Sequence, residues 1–104
     1  MKIKVREASD VVLDYLVAKA WQPVYSDEHL LKYAKYFNPS TNWKYGGSII
    51  EREVIGIEFD DCEEVWFATI TSGDGQQYIT LDGPTPLIAA MRCYVASKLG
   101  DLVS

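Results

Sequence analysis

Apolar residues recur with helical spacing in the first part of the chain, after a short alternating strand at residues 1–5. The pattern predicts a helix over residues 10–20, with Ser9 as its N-cap and apolar positions on more than one side. It predicts a second helix over residues 26–37, because the Asn-Pro pair that follows does not continue a helix. The first third of the protein is therefore expected to be mainly helical.

The period of the apolar positions changes from helical to alternating between residues 55 and 80. Three strands are predicted, at residues 55–59, 65–71 and 77–81, joined by an acidic segment at 60–64 and a glycine-rich segment at 72–75. Connections this short favour antiparallel pairing between neighbours. The predicted fold class is α+β, with a three- or four-stranded antiparallel sheet and helices packed on one or both of its faces.

A closing helix over residues 86–99 has the clearest boundaries in the chain. Thr85 is its expected N-cap, Pro86 suits the first helical position, and Gly100 is a typical helix terminator. One side is broadly apolar, and another carries a ridge of small side chains: Ala89, Cys93 and Ala96. Such a ridge lets another backbone approach closely, within the fold or in an oligomer. Together with the apolar sides of the first helix, it leads us to expect a homo-oligomer.

A polar and aromatic segment, residues 39–48, lies between the second helix and the sheet, and we interpret it as a loop. Ser48 is expected to cap a short helix over residues 49–53. On this interpretation the glycine pair at 46–47 precedes a helix start, where unpaired N–H groups bind anions. Arg52, one helical turn onward, adds a positive charge. A turn that only sets the chain direction is the simpler alternative.

The length of 104 residues and a hydrophobic fraction of 48% are sufficient for one domain, covering residues 1–104. Two cysteines, Cys62 and Cys93, are too few for a disulfide scaffold and lack the neighbours of a zinc or redox motif, so we expect reduced structural thiols. A single histidine, His29, makes a Ser-His or Cys-His catalytic pair hard to build. We predict no catalytic residue, no metal site and no cofactor, and we interpret the acidic segment at 60–64 as a solvated turn.

The net charge of −5 disfavours binding to duplex nucleic acid, which requires a basic surface. No apolar run approaches the roughly 18 residues that span a bilayer. The alternating residues at the start of the chain do not resemble a signal peptide. We therefore expect a cytoplasmic protein with no membrane partner.

Four segments of the chain carry a family resemblance, and they follow one another in order. They are residues 13–19 (LDYLVAK), 39–43 (PSTNW), 46–53 (GGSIIERE) and 83–100 (GPTPLIAAMRCYVASKLG). These motifs resemble the NinX-like phage protein family, and their order is similar to that of the broader phage α-β-α sandwich domain. The resemblance implies a bacteriophage or prophage origin, this fold and the cytoplasm of a bacterial host cell. Because the biochemical function of that family is unknown, the resemblance implies no catalytic residues.

The candidate ligand-binding residues combine hydroxyl groups, glycine N–H groups, aromatic rings and two arginines. They are Ser40, Thr41, Trp43, Tyr45, Gly46, Gly47, Ser48, Arg52, Thr85 and Arg92. Hydroxyl and N–H groups beside an arginine suit an anion, and exposed aromatic rings stack on nucleobases.

Each part of this candidate set has a structural alternative. Thr85 is equally explained as a helix cap. Arg92 borders an apolar helix face, so it needs a carboxylate, a carbonyl or a ligand anion, and it is equally explained by a buried pair with Glu51, Glu53 or Asp82. The rings of Trp43 and Tyr45 are equally suited to anchoring a protein partner, whereas core packing is expected to explain Trp66 and Tyr78.

Two functional hypotheses follow, beside a third alternative of a carboxylate-based or arginine-assisted hydrolase. The leading one is a non-enzymatic phage accessory protein that binds or sequesters a small anionic or nucleotide-like signalling molecule, as a sponge against host defence. The alternative is an interaction module whose acidic surface and Trp43 and Tyr45 rings modulate a host protein. A closed polar pocket lined by Arg52 or Arg92 favours the first hypothesis, and a flat exposed aromatic patch favours the second.

Overall fold

The computed structural model describes residues 2–22, 24–71, 75 and 77–103, which form helices, one three-stranded sheet and one two-stranded sheet. The elements in chain order are β1 (Ile3–Lys4), α1 (Asp10–Trp21), α2 (Asp27–Tyr33), α3 (Trp43–Glu53), β2 (Gly56–Asp60), β3 (Val65–Thr71), β4 (Tyr78–Gly83), α4 (Pro86–Leu99) and β5 (Leu102–Val103). A 3₁₀ turn, Val5–Glu7, connects β1 to α1. The predicted α+β class with a three-stranded antiparallel sheet is confirmed.

The three-stranded sheet is a meander in the order β2-β3-β4, with both pairs antiparallel. The bounds of β3 are those predicted, while β2 begins one residue later than expected and β4 extends to Gly83. Alternate residues point to opposite faces. Ala68 and Ile70 are buried on the inner face, which is the face that α4 covers. Most of the glycine-rich connection at 72–75 lies outside the described residues.

The opening strand is shorter than predicted and has a partner that the pattern did not indicate. Ile3 pairs with Val103 and Lys4 with Leu102, so β1 and β5 form a separate two-stranded sheet. Val5, directly after β1, is fully buried, and its N–H donates to the carbonyl of Asp101 at 2.9 Å. This pairing joins the two ends of the described chain.

Helix α4 is the centre of the fold. Nine of its fourteen residues are buried, so it lies between two layers rather than on a surface. It contacts β3 and β4 on one side and α1 and α3 on another. Against the sheet, a Cβ added at Gly83 would lie 2.7 Å from the Ala89 nitrogen, so the two backbones approach too closely for a side chain.

The small-residue ridge of α4 is therefore used inside the fold. Ala89 and Cys93 are fully buried, and the Cys93 thiol donates to the carbonyl of Ala68 on β3 at 2.8 Å. The predicted helix bounds, the Thr85 cap and the Gly100 terminator are confirmed: the Thr85 hydroxyl accepts from the Ile88 N–H at 3.1 Å, and Gly100 has a φ of 88°. The expected homo-oligomer loses the ridge as support and stays a prediction.

The prediction for the segment before the sheet is wrong, because α3 begins at Trp43 rather than after Ser48. The side chain of Asn42 accepts from the Lys44 N–H at 3.0 Å and supplies the cap. Gly46 is inside the helix, where its N–H donates to the carbonyl of Asn42. A Cβ at Gly46 would lie 2.6 Å from the Leu87 side chain and collide with the Pro39 carbonyl. Close packing, not a turn, therefore requires glycine here.

The first two helices agree with the sequence pattern in position but differ at their ends. Helix α1 runs one residue beyond the expected bound, and Ser9 precedes it without a side-chain capping bond. Helix α2 begins with the predicted cap, because Ser26 accepts from the His29 N–H at 3.2 Å. It ends at Tyr33 instead of residue 37, where tight turns carry the chain so that Phe37 enters the core.

Candidate functional site

Ser40 lies inside the protein and has a structural role. Its side chain is 1% exposed, its N–H donates to the carboxylate of Asp14 at 2.8 Å, and its hydroxyl donates to the carbonyl of Asp10. These bonds fasten the segment before α3 to α1. Ser40 is therefore occupied by the fold, as expected for a buried polar group.

The other residues of the predicted loop lie on α3 or just before it. Thr41, Trp43 and Ser48 are exposed, and the Ser48 hydroxyl donates to the carbonyl of Lys44 at 2.8 Å within the helix. Tyr45 is half-buried and packs edge-on against Phe37, with ring centroids 5.3 Å apart. The glycine pair at 46–47 is within the helix, so the predicted anion site at a helix start is wrong: the Gly46 N–H is already bonded.

Arg52 is engaged by its neighbours at the end of α3. Its Nε donates to the carboxylate of Glu53 at 3.1 Å, and its guanidinium lies 4.6 Å from the ring centroid of Trp21. Glu53 also forms an ion pair with Lys98 of α4 at 3.5 Å. The arginine is therefore stacked and paired.

Arg92 is half-buried and binds two backbone carbonyls. Its Nε donates to the carbonyl of Ala8 at 2.8 Å, and an Nη donates to the carbonyl of Asp82 at 2.9 Å. Among the described residues it forms none of the carboxylate ion pairs predicted from the sequence. Burial lowers the pKa of Arg92, and the nearby charges of Asp82 and Glu7 oppose that shift. Arg92 connects the start of α1 to the end of β4.

The two arginines do not share one pocket. Arg92 binds Ala8, just before α1, whereas Arg52 stacks on Trp21, the last residue of that helix. A helix of 12 residues spans about 18 Å. Thr85 is used as the cap of α4, at the end of that helix where Leu87 faces Gly46. The predicted ligand-binding residues are thus spread over the helical part of the surface and interior.

The groups considered for catalysis are placed as structural or exposed side chains. His29 is exposed and stacks on Tyr25, with ring centroids 4.6 Å apart. Burial raises the pKa of the Cys93 thiol to about 11, so it stays protonated, while Cys62 is an exposed free thiol. Within the described part of the chain, no three His, Cys, Asp or Glu side chains are grouped as a metal would require. The expectation that Tyr78 packs in the core is wrong, because it is 75% exposed.

Sequence reasoning missed an exposed cluster of rings where α1 meets α2. We call it the aromatic patch and define it as Trp21, Tyr25, His29 and Tyr33. Buried Phe37 forms its base, with centroid distances of 5.3 Å to Trp21 and 5.2 Å to Tyr33. Trp21, Tyr25 and Tyr33 are 40%, 49% and 43% exposed. A shallow groove of about 200 Å³ runs between the rings of α2 and the end of α1.

A signal for the aromatic patch is present in the sequence. An aromatic or histidine ring occurs at every fourth position from 21 to 37, which is close to one helical turn. The pattern crosses the break between α1 and α2, so it does not belong to one helix and is invisible to a search of each helix separately. Folding of the α1–α2 hairpin brings these rings together.

Most of the chain matches a known protein family. A family described as "Bacteriophage P22, NinX" matches residues 4–98. No protein with a curated description matches the chain. Within the residues that the structure describes, no helix combines the length and apolar character needed to cross a membrane.

Proposed function

Because this chain belongs to the bacteriophage P22 NinX family, we propose that it is a phage accessory protein that binds a host protein through the aromatic patch, without catalysis. The observation that carries this proposal is the pair of large, partly exposed rings of Trp21 and Tyr33 on buried Phe37, with the exposed ring of Tyr25 stacked on His29 beside them. Tyrosine and tryptophan dominate the energetics of protein interfaces.

The aromatic patch is held in place before any partner arrives. The Tyr15 hydroxyl of α1 donates to the carboxylate of Asp27 at the start of α2 at 2.8 Å, and Lys19 adds an ion pair to Asp27 at 3.4 Å. The bond from Tyr15 and the charge of Lys19 lower the pKa of Asp27. Arg52 holds Trp21 from the other side. Fixed rings lose little conformational entropy on binding, which favours affinity.

The sequestration hypothesis has less support from the geometry. The groove beside the aromatic patch has a volume of about 200 Å³, below the roughly 300 Å³ at which small-molecule pockets begin. Two larger open cavities, of about 480 and 310 Å³, are lined by neither Arg52 nor Arg92. Arg52 and Arg92, which were to bind the anion, are engaged by other groups and lie at opposite ends of α1. Capture of a nucleotide-like molecule stays a prediction, and it is tested as the competing outcome below.

The test uses proteins retained from a bacterial host lysate by the immobilised chain, each then purified and titrated. Tyr25→Ser with Tyr33→Ser removes two rings of the aromatic patch, and the expected loss of affinity is at least thirtyfold, because a single hot-spot tyrosine contributes about 2 kcal/mol. Tyr78→Ser is the matched control, since Tyr78 is exposed on the sheet. The partner should bind the Tyr78→Ser variant as tightly as it binds the unaltered chain.

Two results would contradict the proposal. One is a partner that binds the doubly substituted chain as tightly as the unaltered one. The other is a nucleotide that raises the Tm of the protein while Arg52→Ala abolishes the rise, since a ligand at 100 times its Kd adds about 2.7 kcal/mol. The second result would restore the sequestration hypothesis.

A further inference from the structure

The sheet has a second face that no described element covers with more than isolated contacts. We call it the outer face and define it by the residues that alternate with the buried ones on β2, β3 and β4. At its middle, Glu58, Phe67 and Asp82 are direct cross-strand neighbours in one row. Phe67 is half-buried, and the acidic residues on either side of it are exposed. The row is an apolar ring between two carboxylates.

Charge is strongly segregated along the chain. Residues 53–91 carry eight Asp and Glu residues and no Lys or Arg, whereas all ten Lys and Arg residues lie in residues 2–52 and 92–98. The sheet is built entirely from the first of these segments. Its negative potential is therefore not offset by cations on neighbouring strands, and it reaches about a Debye length into solvent.

Two carboxylates of the row are available to a partner. Those of Glu58 and Asp82 form no hydrogen bond or ion pair within the part of the chain that the structure describes. Asp60 differs, because its carboxylate accepts from the N–H groups of Cys62 and Glu63 at 2.9 and 3.2 Å and holds the hairpin turn. The turn explains Asp60, whereas the Asp82 carboxylate lies near the charge of Arg92 without forming an ion pair with it, and Glu58 has no such neighbour among the described contacts.

We infer that the outer face docks a basic protein segment, one that presents two lysine or arginine side chains on either side of an apolar side chain. The carboxylates of Glu58 and Asp82 are two strand spacings apart, about 10 Å, and this separation sets the distance between the cations. Phe67 supplies the apolar contact between them. Opposite charges around an apolar centre are the usual composition of a specific protein interface.

Charge selects this occupant over the alternatives. A nucleic acid is repelled by the same carboxylates. A second copy of the chain, docked face to face, would place Glu58 and Asp82 against the same residues of its partner, and like charges in contact are destabilising. The outer face is the side of the sheet that points away from α4, whereas the aromatic patch lies on the other side of α4. A partner at the outer face therefore binds independently of a partner at the aromatic patch.

The experiment measures binding of a synthetic peptide that repeats lysine, serine, valine and serine, so that lysine and valine alternate along one face of the extended chain. Binding is followed through the backbone amide chemical shifts of the full chain. We expect shifts concentrated on β2, β3 and β4, and affinity that falls as salt is added. A matched peptide with glutamate in place of each lysine should not bind. Shifts at the aromatic patch instead of the sheet, or no binding of the basic peptide, would overturn the inference.

Paired substitutions separate this surface from charge in general. Glu58→Gln with Asp82→Asn should weaken binding of the basic peptide about tenfold, as expected for two solvent-exposed ion pairs. Glu28→Gln with Glu51→Gln removes the same charge from exposed positions on α2 and α3 and should leave the affinity unchanged. Equal weakening by both pairs would show attraction to the net charge alone, and the outer face would not be a docking surface.

Discussion

The two sides of α4 differ in what they show to solvent. On one side, α1 and α2 present stacked rings, with Arg52 of α3 beside them. On the other, the sheet presents carboxylates and no lysine or arginine. Both sides obtain their stability from the same buried helix. A small domain can carry two chemically different surfaces when a third element forms the core. Here α4 is that element, and it belongs to neither surface.

The largest expected effect comes from adding a methyl group at either of the two glycines that lie against α4. Gly83→Ala forces a methyl group against the backbone of Ala89, and Gly46→Ala forces one against Pro39 and Leu87. Each should lower the free energy of unfolding by about 3 kcal/mol, through overpacking against groups that cannot move aside. In a domain of this size the Tm falls by roughly 15 °C, which calorimetry measures directly.

Gly47→Ala is the control for the helical side. A Cβ there would meet the Trp43 ring at an ordinary distance of 3.6 Å, and alanine favours the helix interior by about 0.5–1 kcal/mol. The Tm should therefore rise. If Gly46→Ala also raised the Tm, α3 would not pack against α4 as described.

Arg92 joins the two sides, so its removal should uncouple them. Arg92→Ala loses both hydrogen bonds, to Ala8 before α1 and to Asp82 on the sheet, and leaves two carbonyls without this donor. We expect a loss of about 2 kcal/mol in urea unfolding. Arg92→Lys keeps the charge but not the two-pronged geometry, so it should recover only part of the loss. Unchanged stability in Arg92→Ala would contradict this joining role.

The sheet and the closing helix could be predicted because their signals are local. The alternation in β3 and the cap, proline and glycine of α4 each follow from a few consecutive residues. α3 could not be predicted in this way. Its two glycines lower its intrinsic helix propensity. Gly46 is required because of its contacts with Pro39 and Leu87, and neither of these residues belongs to α3.

The candidate site was less predictable than the fold. Arg92 was correctly recognised as needing a partner, and its partners are backbone carbonyls of other elements. Arg52 was assigned to an anion, but it pairs with Glu53 and stacks on the ring of Trp21. Which backbone group lies beside a side chain depends on packing, and sequence spacing does not report it. The rings of the aromatic patch recur every four residues, but they form one surface only after α1 and α2 pack together.

A smaller effect is expected at Asp14, which is buried on the helical side and accepts from the Ser40 N–H. Burial raises the pKa of Asp14 above its usual value. A raised native pKa gives stability that is present below the unfolded-state pKa and lost as the pH rises through the native value. Asp14→Asn keeps the acceptor and removes the charge, so its stability relative to the unaltered chain should be higher at about pH 7 than at about pH 4, near the ordinary pKa of an aspartate.

Asp14→Ala is the counterpart, because it leaves the Ser40 N–H without its acceptor. The expected loss is about 1–2 kcal/mol at either pH. Tm values of the three proteins at both pH values test the prediction. Parallel Tm curves for the unaltered chain and Asp14→Asn would show that the carboxylate does not titrate as described.

The smallest effect concerns reactivity and leaves stability unchanged. Cys62 is exposed at the hairpin of the sheet, whereas Cys93 is buried with a pKa raised to about 11. Iodoacetamide should therefore modify Cys62 in the native protein and Cys93 only after unfolding, as mass spectrometry of peptides can show. Modification of both at equal rates would mean that α4 separates from the sheet under native conditions.

The position of α4 in the chain has a consequence for how the protein forms in the cell. Ribosomes release the chain from its N-terminus, so α1, α2, α3 and the whole sheet emerge before the helix on which they pack. Until then the inner side chains of the sheet have no cover, and exposed apolar strands are prone to associate with other nascent chains. Synthesis of α4 is thus the step that supplies the surface on which the sheet and the earlier helices pack.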